Sequence, residues 1–329
     1  MSTTALIYSD RFLEHETAPG HPERPERLRA IIERLHHEHL WDELVHLPFT
    51  PADRHWLLRV HSPHYIDRVY EACKMGRGYI DTPEVSVGRH SAEIAQFAAG
   101  GALAAVDAVH HGRATNAFCA VRPPGHHAEH DHAMGFCLFN HVAIAAEYLA
   151  AHHGYRRIAI VDFDVHHGNG TQHHFESRAD VLFVSLHEHP LYVYPGSGFV
   201  HERGTGSGES YTLNVPLDPY ADDDRYRHVV QEQVLPRLRE FKPEFLLVSA
   251  GFDGLEADPL AHMQLTPQWF EWMTRQLKTL AESHCDGRLV SVLEGGYNLR
   301  ALAEAVALHV RVLLEPTGHH GTMDMKVGM

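Results

Sequence analysis

Short runs of β-branched and aliphatic residues recur along the chain and alternate with longer segments whose apolar positions return every three or four residues. The short runs read as buried strands: 5–8 (ALIY), 116–121 (NAFCAV), 157–163 (RIAIVDF), 181–186 (VLFVSL), 245–251 (FLLVSAG) and 288–295 (RLVSVLEG). The periodic segments at 23–41, 91–112, 140–154, 224–241, 266–284 and 299–315 read as helices. Pro22 and Pro25 stand at the start of the first and Gly154 ends the third, residues suited to those places. Strands alternating with helices imply an α/β architecture, a central and mostly parallel sheet with helices on both faces. No repeat or low-complexity linker divides residues 1–329, so one domain is expected. No stretch reads as approaching a membrane span.

In such a sheet, ligands gather beyond the carboxyl ends of the strands. Four predicted strands run directly into unusual polar strings there: AFCAV into RPPGHHAEH, IAIVDF into DVHHGNGTQ, LLVSAG into FDG, and LVSVL into EGGY. In the second string Asp162, Asp164 and His166 alternate, and an extended backbone would point them to one face. Carboxylate oxygen and imidazole nitrogen are both zinc donors, and a catalytic zinc takes three protein ligands and keeps a position for water. Asp164 and His166 supply two, and Asp253, past its own buried strand, is the candidate third. A helix cap is the alternative for each carboxylate. His126 and His127 are held by a Pro-Pro-Gly lead, a frame suited to acid and base work near neutral pH, with Asp162 and Asn169 as their candidate partners. Tyr297, after Gly295 and Gly296, could donate to an oxygen gaining negative charge, with core packing as its alternative.

Composition changes this picture at one point. The chain carries 32 histidines, so most must be uninvolved. The pairs His36–His37, His110–His111, His152–His153 and His319–His320, lacking a carboxylate or cysteine at ligand spacing, are expected to be solvated. A formal charge of −15 argues against a nucleic-acid partner and suits a cationic one. Four scattered cysteines without a CxxC pair, and an N-terminus unlike a signal peptide, fit reduced thiols in the cytoplasm.

With these residues assembled, the chain resembles the histone deacetylase family, in particular the bacterial histone deacetylase-like amidohydrolases related to class II enzymes. The resemblance runs from HPERPERL (21–28) through RPPGHHA, GFCLFN (135–140), DFDVHHGNGTQ, VSLH (184–187), YPGSG (194–198), SAGFDG and DPL (258–260) to EGGY. It implies a single-domain arginase/deacetylase-like fold with about eight strands, and a zinc-dependent hydrolase that removes acetyl or other short acyl groups from lysine side chains or small amines. It implies zinc on Asp164, His166 and Asp253, His127 as main base and acid, His126 as its electrostatic partner, and Tyr297 as oxyanion donor. Asp162 and Asn169 would orient the histidines. Further implications are tunnel walls at Phe136 and Tyr194, a floor at Gly125, Leu260 near the mouth, and Asp81 gripping substrate backbone at the rim. One potassium ion would involve Asp162, Asp164, His166, Ser185 and Leu186, and a second Phe175, Arg178, Val181 and Tyr211. No membrane partner is implied, and assembly into a homo-oligomer is left open.

Asn169 stands where class I enzymes carry aspartate, which sorts the chain with class II. After DPL it reads AHM where many class II enzymes have two glycines, so the mouth should be shaped differently. Position 260 is not acidic, which ranks an acetylpolyamine amidohydrolase second. A two-metal ureohydrolase would need further bridging carboxylates, and a non-catalytic acyl-lysine binder would be expected to lack a ligand or Tyr297.

Overall fold

The structure is a computed structural model that describes residues 3–316. The pair His319–His320 lies outside them. Among the described residues there are ten strands: β1 Thr4–Ile7, β2 Val45–His46, β3 Gly78–Ile80, β4 Thr82–Val87, β5 Asn116–Cys119, β6 Ile158–Asp162, β7 Val181–Glu188, β8 Thr212–Leu217, β9 Phe245–Ala250 and β10 Leu289–Leu293. Eight of them form one sheet in the order β2-β1-β5-β10-β9-β6-β7-β8, and β3 and β4 form a separate antiparallel hairpin. Every pairing in the large sheet is parallel. The inner strands β5, β6, β7, β9 and β10 are buried at every position, which requires cover on both faces and explains why they read as unbroken apolar runs.

The helices are α1 Glu26–His37, α2 Arg54–Leu57, α3 Pro63–Lys74, α4 Ser91–His110, α5 His141–Ala151, α6 Asn169–Phe175, α7 Asp223–Val229, α8 Leu235–Phe241, α9 Pro267–His284 and α10 Leu299–Leu314. One layer packs α4 against α5, β1 and β5, and another packs α1 and α9 against α10.

Several expectations need correcting. By length and composition α4 could cross a membrane; its apolar surface lies instead inside the core. The helix expected over 23–41 stops at His37, because His39 turns into the left-handed region at φ 60°. The one expected over 224–241 is broken by a π turn at Val230–Val234. Pro236 has no N–H to return along the helix and its ring crowds the preceding turn, so the ladder shifts just before it. The edge strands β2 and β8 were not expected: one has two residues, and the other carries Pro216 in a half-buried TLNVPL pattern.

Two histidine pairs also depart from the solvated expectation. His153 is half-buried against α4, its Nε2 2.8 Å from Asp107 Oδ1, and His110 stacks on it with ring centroids 3.9 Å apart. The partner carboxylate lies on another helix, where spacing along the sequence could not show it.

Candidate active site

Sheet order makes neighbours of the four motif-bearing strands, β5, β10, β9 and β6. Their carboxyl ends therefore bring 122–130, 294–297, 251–254 and 162–170 together. Asp164, His166 and Asp253 are buried, and each offers a donor atom within 4.8 Å of the other two. His166 Nδ1 lies 3.1 Å from both Asp164 Oδ1 and Asp253 Oδ2. The second oxygen of each carboxylate is held by the backbone: Gly295 N–H donates to Asp164 Oδ2 at 2.8 Å and Val165 N–H to Asp253 Oδ1 at 2.9 Å. Burial and the neighbouring Asp164 carboxylate push the Asp253 carboxyl up.

The backbone is shaped around these donors. A Cβ at Gly295 would sit 2.1 Å from Asp253 Oδ2 and 2.5 Å from Asp164 Oδ2, and one at Gly251 would sit 2.1 Å from Asp164 Oδ2. The three residues could thus hold a metal ion. Asp162 does not share their face. Strand β6 ends at Asp162, and Asp162 and Asp164 each accept the amide two residues on, at 3.1 and 2.9 Å, so tight side-chain turns replace the extended backbone expected there.

Asp162 serves His126 instead, with 2.9 Å from Oδ2 to the imidazole Nδ1. Burial opposes a charge on His126, but Asp162, Asp164 and Glu294 outweigh it and push the group up to about 10. His127 is the opposite case. Its Nδ1 donates to Asn169 Oδ1 at 2.7 Å, while burial, His126 and His166 hold it well below the usual histidine range. A neutral ring donating through Nδ1 keeps Nε2 as an acceptor. Asn169 is oriented in turn by Glu129, which accepts from its Nδ2. Adjacent residues of like chemistry thus carry opposite protonation because their partners differ in charge.

Of these groups His127 and His166 line a cleft of about 320 Å³, with Phe136, Tyr194, Leu260 and Tyr297. Tyr194 packs edge-on over His127 with centroids 5.2 Å apart. Phe136 takes the left-handed conformation at φ 67°, which wedges its ring edge-on between His21 and Tyr297. Tyr297 also faces the Arg27 guanidinium, 5.0 Å from its ring centre. Burial raises its phenol well above the ordinary range, so it keeps its proton.

Two expected pocket residues lie elsewhere. Gly125 is buried behind His126, where a Cβ would come within 2.8 Å of Phe139 O and His141 N; it allows a close approach of backbone and forms no floor. Asp81 is committed to Arg68 at 2.7 Å and to the Ala133 amide at 2.7 Å, and Glu84 reaches the cleft in its place. The residues of the expected potassium sites are distributed as follows. Asp162 is paired with Ser185 across β6 and β7, and Leu186 follows. Phe175 closes α6 and accepts the Arg178 amide, Val181 opens β7, and the Tyr211 carbonyl accepts the Phe183 amide.

Sequence reasoning passed over three groups that hold the site in place. Glu294, in EGGY, accepts the Gly125 and His126 amides at 2.6 and 3.1 Å and the Ser249 hydroxyl at 3.1 Å. Asp258, in DPL, accepts the amides of Tyr297 at 2.6 Å and of Leu260 at 3.0 Å. Arg27 donates to the carbonyls of Gly296 at 2.6 Å and Glu294 at 2.5 Å and pairs with buried Glu23, which also binds Arg122. The available signal was a carboxylate directly after a strand buried at every position, as in LVSVLE.

Comparison with known proteins agrees with this arrangement. A model of the histone deacetylase domain matches residues 21–313. A probable deacetylase of Archaeoglobus fulgidus is 40% identical over 328 residues, covering 96% of this chain and 90% of that one. A histone deacetylase-like amidohydrolase of Pseudomonas aeruginosa is 42% identical over 287 residues, covering 87% and 75%. The crystal structure of the HDA15 HD domain superposes with a TM-score of 0.90 at 38% identity, covering 95% of this chain and 88% of that one. A metal-ready donor set, two adjacent histidines with unlike partners and relatives of this kind over nearly the whole length lead to one conclusion: the chain belongs to the histone deacetylase family and is a hydrolytic deacetylase.

Proposed function

We propose that the protein hydrolyses the amide of acylated primary amines, acetyl-lysine side chains first among them, with zinc on Asp164, His166 and Asp253. The observation that carries this reading is the pair of adjacent histidines with unlike partners, one on a carboxylate and one on an amide oxygen, beside a three-residue donor set. Two carboxylates and one imidazole suit zinc and leave it an open position. When bound there, zinc would polarise the amide carbonyl and make water acidic enough to attack.

The remaining chemistry belongs to side chains. Neutral His127 takes a proton from the attacking water through Nε2 and is held in that tautomer by Asn169. His126 keeps its own proton beside Asp162 and sets a positive charge next to the developing anion. Tyr297 keeps its proton and donates a hydrogen bond from its phenol to the carbonyl oxygen as that oxygen gains charge. His127 then passes its proton to the amine nitrogen, the C–N bond breaks, and amine and carboxylate leave. Phe136 and Tyr194 flank the alkyl chain and keep water from it, while Leu260 borders the entrance. We further assign one potassium ion to Asp162, Asp164, His166, Ser185 and Leu186, a second to the corner of Phe175, Arg178, Val181 and Tyr211, and the whole enzyme to the cytoplasm, which its four free, buried thiols suit.

The test is acetate release from an acetyl-lysine peptide by protein as purified, after exhaustive chelation, and after zinc is restored. Chelation is expected to abolish turnover and zinc to return it. Full activity in protein shown by elemental analysis to be metal-free would overturn the reading.

A further inference from the structure

Ten residues line the cleft, and among the described residues Glu84 is its only carboxylate. Its place is built by the hairpin. Ser86 of β4 opposes Tyr79 of β3, yet Thr82 opposes the very next residue, Ile80, so residues 83–85 have no partner across the hairpin and form a bulge. Bulges re-aim side chains, and this one delivers Glu84 to the catalytic cleft. Two contacts hold it there. The Thr82 hydroxyl donates to Glu84 Oε1 at 2.6 Å, and His21 Nε2 donates to the Glu84 carbonyl at 2.9 Å while the same ring packs on Phe136.

No Lys, Arg or His side chain among the described residues neutralises this carboxylate. The contrast with Asp81, three residues earlier, is direct, since Asp81 is fully engaged by Arg68 and the Ala133 amide. A carboxylate beside Tyr194 and Phe136 is partly screened from water, so a cation of the substrate can gain there what the protein does not supply.

From the unpaired Glu84 carboxylate at the cleft we infer that the enzyme selects acylated amines carrying a second, unacylated cationic group. The inference rests on the acyl-amine hydrolase reading above. Acylation removes the charge of the reacting nitrogen, so that nitrogen cannot be what Glu84 binds before hydrolysis. The cation must lie elsewhere on the substrate, either on the same small amine or on a residue flanking an acyl-lysine.

Matched substrate pairs separate these sources. One pair is N-acetylputrescine and the neutral N-butylacetamide; the other is an acetyl-lysine peptide flanked by lysine and the same peptide flanked by norleucine. The quantity read is the cationic-to-neutral ratio of kcat/KM in wild type, E84Q and E84K. In at least one pair the ratio is expected to fall about fivefold in E84Q, the upper range for a part-exposed ion pair, and further in E84K, through KM rather than kcat. It is also expected to shrink in wild type as salt rises from about 0.05 to about 0.5 M. A drop confined to one pair names the source of the cation. Ratios unchanged by E84Q and E84K in both pairs, with all substrates turned over, would overturn the inference alone. No turnover of any acylated amine by wild type would overturn the hydrolase reading and this inference with it.

Discussion

Replacing His309 by glutamine is expected to flatten the acid side of the stability profile by one proton. His309 sits on α10, buried between α9 and β10 and close to the rings of Phe118 and Phe252. Its tautomer is dictated by its neighbours. The Thr274 hydroxyl gives its proton to the Phe270 carbonyl at 2.6 Å, so its oxygen accepts from His309 Nδ1–H at 2.7 Å; Nε2 then accepts from Ser291 at 2.8 Å. No carboxylate compensates, and burial alone lowers the imidazole from 6.5 to about 3. Below 6.5 the unfolded chain therefore takes up a proton that the folded chain refuses until about pH 3. Stability falls with pH across that window at about 1.4 kcal/mol per pH unit, roughly 2 kcal/mol between about pH 7.5 and about pH 5. Glutamine can keep a donor and an acceptor at the same two hydroxyls without titrating.

Urea unfolding of wild type and H309Q at those two pH values checks the argument. Wild type is expected to lose about 2 kcal/mol more than the variant over the interval, whatever their starting stabilities. Loss of metal in acid is common to both proteins and cancels. Equal losses would refute the reasoning. His15, His61, His141 and His167, all held by burial to values of about 3 or 4, act in the same direction, so a histidine-rich chain is here an acid-labile one.

Other outcomes follow from the same structure. Gly295→Ala would drive a methyl group into both the Asp164 and Asp253 carboxylates, so it is expected to lose the metal and keep its circular dichroism; elemental analysis after gel filtration decides. Tyr297→Phe keeps the ring against Phe136 and Arg27 but removes the phenol donor, and kcat is expected to drop about 100- to 1000-fold with little change in KM. Glu23→Gln leaves Arg27 and Arg122 buried without their counter-charge, at a cost of roughly 3–5 kcal/mol visible as a lowered thermal midpoint. The two guanidinium groups outweigh burial and hold Glu23 at about 2, below the ordinary 4.5, so its contribution is complete above 4.5 and fades as pH falls toward 2.

What the sequence discloses and what it hides follow from how each feature is encoded. The inner strands are legible because burial on both faces demands continuous apolar residues, and the catalytic strings because each abuts such a run. The turn after Asp162 is hidden, since its side-chain hydrogen bonds to nearby amides leave the same letters as an extended strand. The exchange of Asp81 for Glu84 is hidden too, because it depends on a register shift between two short strands. The pairing of His153 with Asp107 depends on the packing of α5 on α4, and periodicity within either helix says nothing of it. Glu294 and Asp258 work through backbone amides that any residue possesses, so nothing in the partner's identity marks them.

One carboxylate, that of Asp258, accepts the amide of Leu260 at the entrance with one oxygen and the amide of Tyr297 with the other. The entrance and the catalytic tyrosine are therefore not separate modules on this side of the cleft. A change that retailors the segment after Asp258 for a new substrate tugs on the backbone that aims the phenol, so selectivity gained there carries a toll in turnover. The hairpin bearing Glu84 is joined to the phenol through side-chain packing instead, by way of the His21 and Phe136 rings, a softer link than a shared carboxylate, so a change at Glu84 itself disturbs turnover less.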